Sequence, residues 1–285
     1  MPRLVDQTWA SRTAHASRLP GPLAPLDALW VHRELIWRLA WRRVVVRYRG
    51  SLLGLFWSVL SPLLTLAIYT LVFGVMFGSR WTDDATTAQY ALLLYLGLCV
   101  FWFVAECLGE ATSVIADHAN YVKKVVFPLE VLPWILVATG LFHSAIRLTI
   151  FIVAWTLFEG APPRTTLALP LVYLPLVLVT VGLSYMIACA GALVRDLREG
   201  MALLLTALMF LSPIFYPMSA VPEAFRGIIR LNPLTLPVEQ VREVAAFGTA
   251  PDLVSFAIAL AASWLIAWLG AALFARLRGV FADVV

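Results

Sequence analysis

Charged residues are scarce in this sequence: Asp, Glu, Lys and Arg make up 13% of its 285 residues, whereas hydrophobic residues make up 61%. Soluble domains carry about 25% charged and roughly 45–50% apolar residues, so the composition argues against a water-soluble protein. The net charge of +4 is explained by basic residues that flank membrane spans, and no basic soluble domain is present to bind a nucleic acid. We therefore expect an all-α polytopic membrane protein without a nucleic-acid partner.

Motifs for catalysis and cofactor binding are also missing. The sequence contains neither the GxxxxGK[ST] pattern of a phosphate-binding loop nor the HExxH pattern of a zinc enzyme. Cys99, Cys107 and Cys189 lie in apolar stretches without a CxxC pair, which predicts buried thiols and no disulfide or metal framework. No nucleophile, base and oxyanion site can be assembled from the remaining residues. We expect a non-catalytic chain that has no cofactor or metal of its own.

The N-terminal region lacks the apolar core of a cleavable signal, so we assign residues 1–26 to a cytoplasmic tail or, alternatively, a partner-binding arm. Residues 27–49 have apolar residues on one helical face, arginines mostly on the other and tryptophans near the edge. Such a helix lies in the plane of the membrane interface. We predict an amphipathic interface helix over 27–49, with Asp27 as its N-cap, and a six-span transmembrane domain over 50–285.

Six charge-poor stretches carry the prediction of six spans, because about 20 apolar residues suffice to cross the hydrocarbon core. They are residues 52–77, 90–107, 131–158, 167–193, 201–217 and 253–275. With both termini inside, 15 of the Lys and Arg residues lie on the cytoplasmic side and five outside, while Arg147 lies within a span. The positive-inside rule therefore predicts that both termini are cytoplasmic.

A basic segment leads directly into the first span. Four arginines precede Gly50, and no charged residue occurs from 51 to 79. The string RYRGSLLGLFWSVLSPL, residues 47–63, resembles the entry to the first membrane helix of ABC-2-type permeases, above all those that export O-antigen, capsule and teichoic acid. The string DHANYVKKVVFPLEVLP at 117–133 and the proline-rich stretch 212–242 are similar to the same family, and the resemblance extends from about Leu29 to the C-terminus.

The resemblance implies a membrane subunit that forms a homodimer, contacts membrane lipid and joins two ATP-binding cassette subunits, which bind ATP and Mg. The implied substrate is a polyprenyl-pyrophosphate-linked glycan, moved outward across the bacterial inner membrane through a channel at the dimer interface. Two alternatives stay open. One is an ABC-2 exporter of drugs or small lipids, and the other is a polytopic glycan-modifying enzyme that works without ATP.

Candidate contacts with the ATPase subunit come from the interface helix and from two loops predicted to be cytoplasmic. The resemblance implies that these elements transmit a push from the ATPase. The candidates are Arg33, Arg38, Arg42, Tyr121, Lys123, Lys124, Arg195, Asp196 and Arg198. The alternatives are a simple membrane anchor for the helix, an ordinary positive-inside loop at 117–133, and ion pairing of the charges of 195–199 with each other.

The stretch 212–247 is interrupted by five prolines, of which Pro222 and Pro237 suit the first turns of short helices. Apolar residues then recur at helical spacing at Leu234, Val238, Val241 and Ala245. Two short helices are predicted, and the resemblance implies that they are re-entrant helices between the fifth and sixth spans. A plain periplasmic hairpin is the alternative.

Aromatic residues recur where a sugar path could run. Three lie four residues apart on the first span and three more cluster late in the fifth. Aromatic rings offer flat apolar faces to sugars, but the same spacing is typical of packing or of an interface belt. The predicted path comprises Tyr69, Phe73, Phe77, Phe210, Phe215, Tyr216 and Arg147.

Ionisable residues within spans indicate function, and four occur here: Glu106, Glu110, His143 and Arg147. At 1.5 Å per residue in a core about 30 Å thick, Glu106 and Arg147 are expected at depths about 15 Å apart. This arithmetic predicts that the two do not pair. Arg147 is then expected to face a hydrated path, a lipid phosphate or backbone carbonyls.

Overall fold

The computed structural model describes residues 21–49, 54–81, 85–122, 127–194 and 196–284, and all regular structure in these ranges is helical. The helices are α1 (Ala24–Val31), α2 (Arg33–Tyr48), α3 (Trp57–Tyr69), α4 (Thr87–Ala111), α5 (Val114–Asp117), α6 (Ala119–Val122), α7 (Val131–Phe158), α8 (Leu169–Leu193), α9 (Leu197–Phe210), α10 (Glu223–Leu231), α11 (Thr235–Arg242) and α12 (Leu253–Val284). Two π-helical segments, Thr70–Met76 and Glu243–Phe247, continue α3 and α11.

Five helical segments in the described ranges are long and apolar enough to cross a membrane: Trp57–Met76, Thr87–Ala111, Val131–Phe158, Arg164–Leu193 and Leu253–Phe281. They correspond to five of the six predicted spans. The remaining stretch, 201–217, coincides with α9, which has 14 residues. A helix of that length covers only about 21 Å, less than the thickness of the hydrocarbon core. The protein is thus an all-helical, multi-pass membrane protein.

Helix α4 forms the centre of the bundle, since 16 of its 25 residues are buried. A helix that is hydrophobic all round is stable only when it is enclosed by others, and α4 is packed against α7, α8 and α11. Its start is fixed by a capping box, in which Thr86 accepts from the Gln89 backbone N–H and Gln89 accepts from that of Thr86. The core therefore surrounds the second predicted span.

Helices α8 and α12 approach each other closely at two glycines. A Cβ atom on Gly182 would lie 2.5 Å from the Ile266 carbonyl oxygen, and one on Gly270 would lie 2.2 Å from that of Gly182. Small residues at such crossings allow helix backbones to come into contact within a membrane. The first predicted span is different, because α3 buries only Pro62. It contacts α4 and α7, but much of its apolar surface is exposed, including Leu63, Leu64 and Ile68.

The predicted interface helix is divided in two at His32, between α1 and α2. Ile36, Ala40 and Val44, spaced by four, form the buried face of α2. The prediction that Asp27 is the N-cap is wrong. Helix α1 already starts at Ala24, with a proline in its first turn, a position at which proline has a suitable backbone angle and needs no hydrogen-bond partner.

Two short helices, α10 and α11, occur in the proline-rich stretch as predicted. Pro222 immediately precedes α10, and Pro237 lies in the first turn of α11. The predicted apolar stripe is buried, with all four of its residues in the core: Leu234, Val238, Val241 and Ala245. The three cysteines are buried and free, as predicted.

Candidate functional site

The side chains of α2 reach the last two turns of α4 through three ion pairs, the longest of which joins Arg47 Nη1 and Glu110 Oε1 at 3.8 Å. Arg47 Nη1 lies 2.6 Å from Glu106 Oε1, and Arg43 Nη2 lies 2.9 Å from Glu110 Oε2. In each helix the two residues are four apart, one turn of α-helix, so they lie on one face. Arg47, the later of the two arginines, pairs with Glu106, the earlier of the two glutamates. Helices α2 and α4 therefore run in opposite directions at this junction.

Glu106 is the centre of a larger group, here called the Glu106 cluster: Arg43, Arg47, Glu106, Glu110, His143 and Arg147. His143 Nδ1 lies 2.6 Å from Glu106 Oε1, and Arg147 Nη2 lies 3.2 Å from Oε2. The Glu106 side chain is 8% exposed, whereas that of Glu110 is 31% exposed. Removing one partner of such a buried charge typically costs about 3–5 kcal/mol. The cluster therefore ties α2, α4 and α7 together.

The His143 ring connects Glu106 to Tyr48. A neutral imidazole has one donor and one acceptor nitrogen, and the carboxylate beside Nδ1 requires Nδ1 to be the donor. Nε2 then accepts from the Tyr48 hydroxyl, 3.1 Å away. Burial raises the pKa of Tyr48. Its hydroxyl therefore stays protonated and is able to donate this hydrogen bond. The end of α2 is thus hydrogen-bonded to α7 through the His143 ring.

The expectation that Glu106 and Arg147 lie too far apart to pair is wrong. That expectation assumed that the end of α4 and the start of α7 lie at the same depth in the membrane. Glu106 lies close to the end of α4 at Ala111, whereas Arg147 lies more than four turns into α7. The observed pair requires α7 to begin well beyond the end of α4. The stagger is accommodated by α5 and α6, which intervene in the chain.

A cavity of about 370 Å³ lies beside the cluster, between α2, α3, α4 and α7. Arg47 and Arg147 contribute to its wall, as do Ser58, Ser61 and Thr65 from α3. The Arg147 guanidinium lies 5.5 Å from the ring centre of Trp102, a cation–π contact. The predicted path residue Arg147 therefore borders a polar cavity while it is paired with Glu106.

The predicted path aromatics from the two segments meet at Phe215. Its ring centre lies 4.6 Å from that of Phe73, 5.2 Å from that of Tyr69 and 5.4 Å from that of Phe210. Phe215 is only 2% exposed, so its ring is enclosed by the bundle. Phe77 stacks at 5.9 Å on Phe73 and is 74% exposed. This group of aromatic rings thus has a buried centre at Phe215 and an exposed edge at Phe77.

Tyr216 stands apart from these rings. Its hydroxyl donates to the Phe210 carbonyl oxygen at 3.0 Å. It lines an apolar cavity of about 450 Å³ together with Leu211 and the exposed side of α10. Tyr216 thus lies on a different surface from the rings that contact Phe215. That all six aromatic residues line one path stays a prediction.

At the opposite end of the bundle, Arg242 organises the turn after α9. Its guanidinium donates to the carbonyl oxygens of Leu93, Pro213 and Ile214, and it lies 4.2 Å from the ring centre of Trp81. The side chain is buried, and an arginine remains protonated in proteins. Its donors therefore replace the water that these carbonyl groups would otherwise need.

Two further side chains bind the same turn. Asn232 Nδ2 donates to the Leu211 carbonyl oxygen at 3.1 Å and to Ser212 Oγ at 3.0 Å. The Tyr90 hydroxyl donates to the Phe215 carbonyl oxygen at 2.9 Å. Together with Arg242 they satisfy the backbone of a buried, non-helical segment, as a low-dielectric environment requires.

The predicted ATPase-contact residues lie on exposed surfaces where the structure describes them. Arg33, Arg38 and Arg42 are exposed on α2, and Asp196 and Arg198 are exposed at the start of α9. Arg38 forms a 3.5 Å pair with Glu34, one turn away. Lys123, Lys124, Arg195 and the side chain of Tyr121 lie outside the described residues. The contact with an ATPase therefore stays a prediction.

Sequence reasoning missed the ion pairs of the Glu106 cluster. The signal was present as three ionisable doublets with a spacing of four: Arg43/Arg47, Glu106/Glu110 and His143/Arg147. Each doublet forms one helical face, and the basic and acidic doublets are complementary.

Among the described residues, no group of three or more His, Cys, Asp and Glu side chains is placed to hold a metal ion.

Residues 34–246 match the family model described as ABC-2 type transporter. The chain belongs to the ABC-2 type transporter family. The match begins in α2 and ends in the π-helical segment after α11, so it includes both the Glu106 cluster and Arg242. Members of this family are the membrane subunits of transporters.

Three curated relatives share most of their length with this ABC-2 chain. The O-antigen export system permease protein RfbA of Myxococcus xanthus is 28% identical over 257 residues, 90% of this chain and 96% of the relative. The protein of the same name from Klebsiella pneumoniae is 27% identical, with 84% and 90% covered. The polysialic acid transport protein KpsM of Escherichia coli is 22% identical, with 79% and 86% covered.

Proposed function

We propose that this chain is the membrane permease subunit of an ATP-driven exporter that carries a lipid-linked, O-antigen-like polysaccharide out across the bacterial inner membrane. The observation that carries the proposal is the similarity to O-antigen export permeases, which extends over 90% of this chain and 96% of one relative. A polysialic acid transport protein is also similar over most of its length. The shared feature of these relatives is a polysaccharide cargo.

The proposed complex contains two copies of this chain and two ATP-binding cassette subunits. The chain has no phosphate-binding loop motif, so ATP and Mg are assigned to the partner subunit. The exposed apolar side chains of the π-helical segment after α3, Leu71, Val75 and Met76, support a second copy, because an exposed apolar patch marks a protein or membrane contact. The exposed arginines of α2 supply a polar surface for the ATPase.

The proposed topology keeps six spans, with both termini in the cytoplasm. In this arrangement α9 and the segment after it form the fifth span, and α10 and α11 are re-entrant. Non-helical backbone is tolerated at membrane depth only where it is buried and its polar groups are satisfied. The contacts of Arg242, Asn232 and Tyr90 to residues 211–215 meet this requirement. They support a short fifth helix that ends within the bundle.

The Glu106 cluster supplies a route for coupling between the ATPase and the membrane helices. A push on α2 reaches α4 through Arg43 and Arg47, and it reaches α7 through Tyr48 and His143. These are short side-chain contacts between rigid helices, so movement of α2 is transmitted directly. The proposed ATPase surface and the predicted path are thereby connected.

Deletion of the gene tests the function. We expect polyprenyl-linked glycan to accumulate inside the cell and surface glycan to be lost, with both reversed by the wild-type chain supplied on a plasmid. Surface glycan is measured with a lectin or antiserum, and intracellular glycan is measured after lipid extraction. Normal surface glycan combined with new sensitivity to drugs would contradict the proposal and favour a drug exporter.

A further inference from the structure

The cavity beside the Glu106 cluster has a polar wall on an otherwise apolar helix. Ser58, Ser61 and Thr65 lie on one side of α3 and all line it, whereas the other exposed side chains of that helix are mostly apolar. Polar side chains within a span face partners or a hydrated space, since lipid does not solvate them. The volume of about 370 Å³ lies within the range of small-molecule sites, roughly 300–1,000 Å³.

The opposite wall carries positive charge. The Glu106 cluster contains three arginines and two glutamates, so it has one more arginine than carboxylate when His143 is neutral. Arg147 Nη1 is buried and has no hydrogen-bond partner among the described residues. A buried donor of this kind costs free energy until an acceptor binds it. An anion in the cavity would supply that acceptor.

We propose that this cavity binds the phosphate-bearing headgroup of a lipid, whose oxygens accept hydrogen bonds from Arg147 and Arg47 in place of Glu106. Guanidinium groups bind phosphate through two parallel hydrogen bonds, whereas Arg47 and Arg147 each donate only one to Glu106, which keeps its contact with His143 after the exchange. The tail of the lipid lies along the exposed apolar side of α3, which begins at the cavity. A free anion makes no use of that surface.

The exchange has a consequence for the interface helix. Arg47 belongs to α2, and its pair with Glu106 is one of three ion pairs that hold α2 to α4. Arg47 is half exposed, so it can turn toward the headgroup without refolding. A bound headgroup therefore loosens the junction between α2 and α4. In this way occupancy of the cavity is sensed by the helix proposed to contact the ATPase.

The inference rests on the proposed function, because that function supplies a pyrophosphate-linked lipid as one source of headgroup. Anionic phospholipid is the other source. The test uses the complete complex with its ATPase subunit in nanodiscs of phosphatidylcholine, to which undecaprenyl pyrophosphate or phosphatidylglycerol is added. Bound lipid is counted by native mass spectrometry across a titration, together with basal ATPase activity. Size-exclusion chromatography confirms that each variant is assembled.

Two variants test the cavity in different ways. Arg147→Gln removes one charged donor, and a hydrogen bond to a charged group accounts for about a tenfold change in affinity or more. Ser61→Leu fills the cavity from the exposed side of α3 without altering a charge. Both are expected to weaken undecaprenyl pyrophosphate binding and to reduce its effect on ATPase activity. The matched controls are Arg164→Gln, an exposed arginine far from the cavity, and Ala67→Leu, on the other side of α3.

Glu106→Gln removes the competitor of the headgroup and is expected to raise lipid affinity several-fold. If phosphatidylglycerol displaces undecaprenyl pyrophosphate, the cavity binds phosphate headgroups in general. If phosphatidylglycerol does not displace it, the cavity is specific for the pyrophosphate. Assembled Arg147→Gln and Ser61→Leu complexes that bind lipid as the wild type does would overturn the inference. Such a result leaves the deletion phenotype unaffected, so failure of this site is distinct from failure of the proposed function.

Discussion

Arg47 and Glu106 join the helix before the first span to the second span, with Arg47 Nη1 2.6 Å from Glu106 Oε1. The two residues are 59 positions apart in the chain. Glu106 also accepts from His143 and Arg147, so a single buried carboxylate receives donors from two helices. Four expected outcomes follow from this geometry and from the packing around it.

The buried carboxylate should be far more important for stability than its neighbour one turn away. Glu106→Ala removes the shared acceptor of three cationic or donor groups and should lower the free energy of unfolding by about 3–5 kcal/mol. Glu110→Ala, which removes a partly exposed pair, should cost about 1 kcal/mol or less. Thermal unfolding of the purified permease measures both. Equal losses for the two variants would show that the Glu106 cluster is not a buried junction.

Position 97 should tolerate only glycine, because Arg242 occupies the adjacent space. A Cβ atom there would lie 2.6 Å from Arg242 Nη2, whereas one on Gly279 would meet nothing within 4 Å. Both glycines are helical, so alanine gains about 1 kcal/mol of intrinsic helix propensity at either position. Gly97→Ala should lower the melting temperature, and Gly279→Ala should leave it unchanged or raise it. A stable Gly97→Ala protein would indicate that Arg242 does not hold the turn after α9.

The aromatic residues should divide into packing and path residues. Phe215→Ala should reduce the amount of assembled complex, because loss of a buried phenylalanine costs about 3–5 kcal/mol in soluble cores. Tyr69→Ala, Phe73→Ala and Phe77→Ala should slow glycan export more than they reduce assembly, since these rings are partly or largely exposed. Export and assembly are measured in the same cells. A reduction of export in proportion to assembly would assign all four rings to packing.

The topology is testable by cysteine labelling without removing the native cysteines, because all three are buried. Cysteine at Glu223, whose side chain is 92% exposed, should react with an impermeant thiol reagent from outside. Cysteine at Lys124 should react only after the membrane is permeabilised. Labelling is read by a mass shift on gels. Reaction at Lys124 in intact cells would rule out the cytoplasmic location of both termini.

Local pattern was sufficient to predict the helical elements. The charge-poor stretch 131–158 is helix α7 with the same ends, and the prolines of 212–247 mark two short helices. The stripe from Leu234 to Ala245 is buried because its period matches the helix. The fifth span was not delimited in this way, because apolar residues continue to Pro217 although α9 ends at Phe210. Its end is determined by side chains from distant parts of the chain.

The candidate site could be predicted only in part. Aromatic residues 69, 73 and 215 were selected by type, and the structure brings them together. Their division into buried and exposed rings depends on packing that a single sequence does not encode locally. The pair between Glu106 and Arg147 was rejected because helix ends were assumed to be level, and relative helix depth is a tertiary property. The paired doublets of Arg43/Arg47 and Glu106/Glu110 were readable in principle.

Translocation by the purified complex tests the central claim most directly. The permease and its ATPase subunit are reconstituted into proteoliposomes, with polyprenyl-linked glycan incorporated in the membrane. Transport is measured as the fraction of glycan that becomes protected from, or accessible to, an impermeant glycosidase after ATP is added. The account predicts ATP-dependent movement of glycan across the bilayer and no movement with a hydrolysis-deficient ATPase. Glycan that stays in place while ATP is hydrolysed and a drug or small lipid is moved would contradict it.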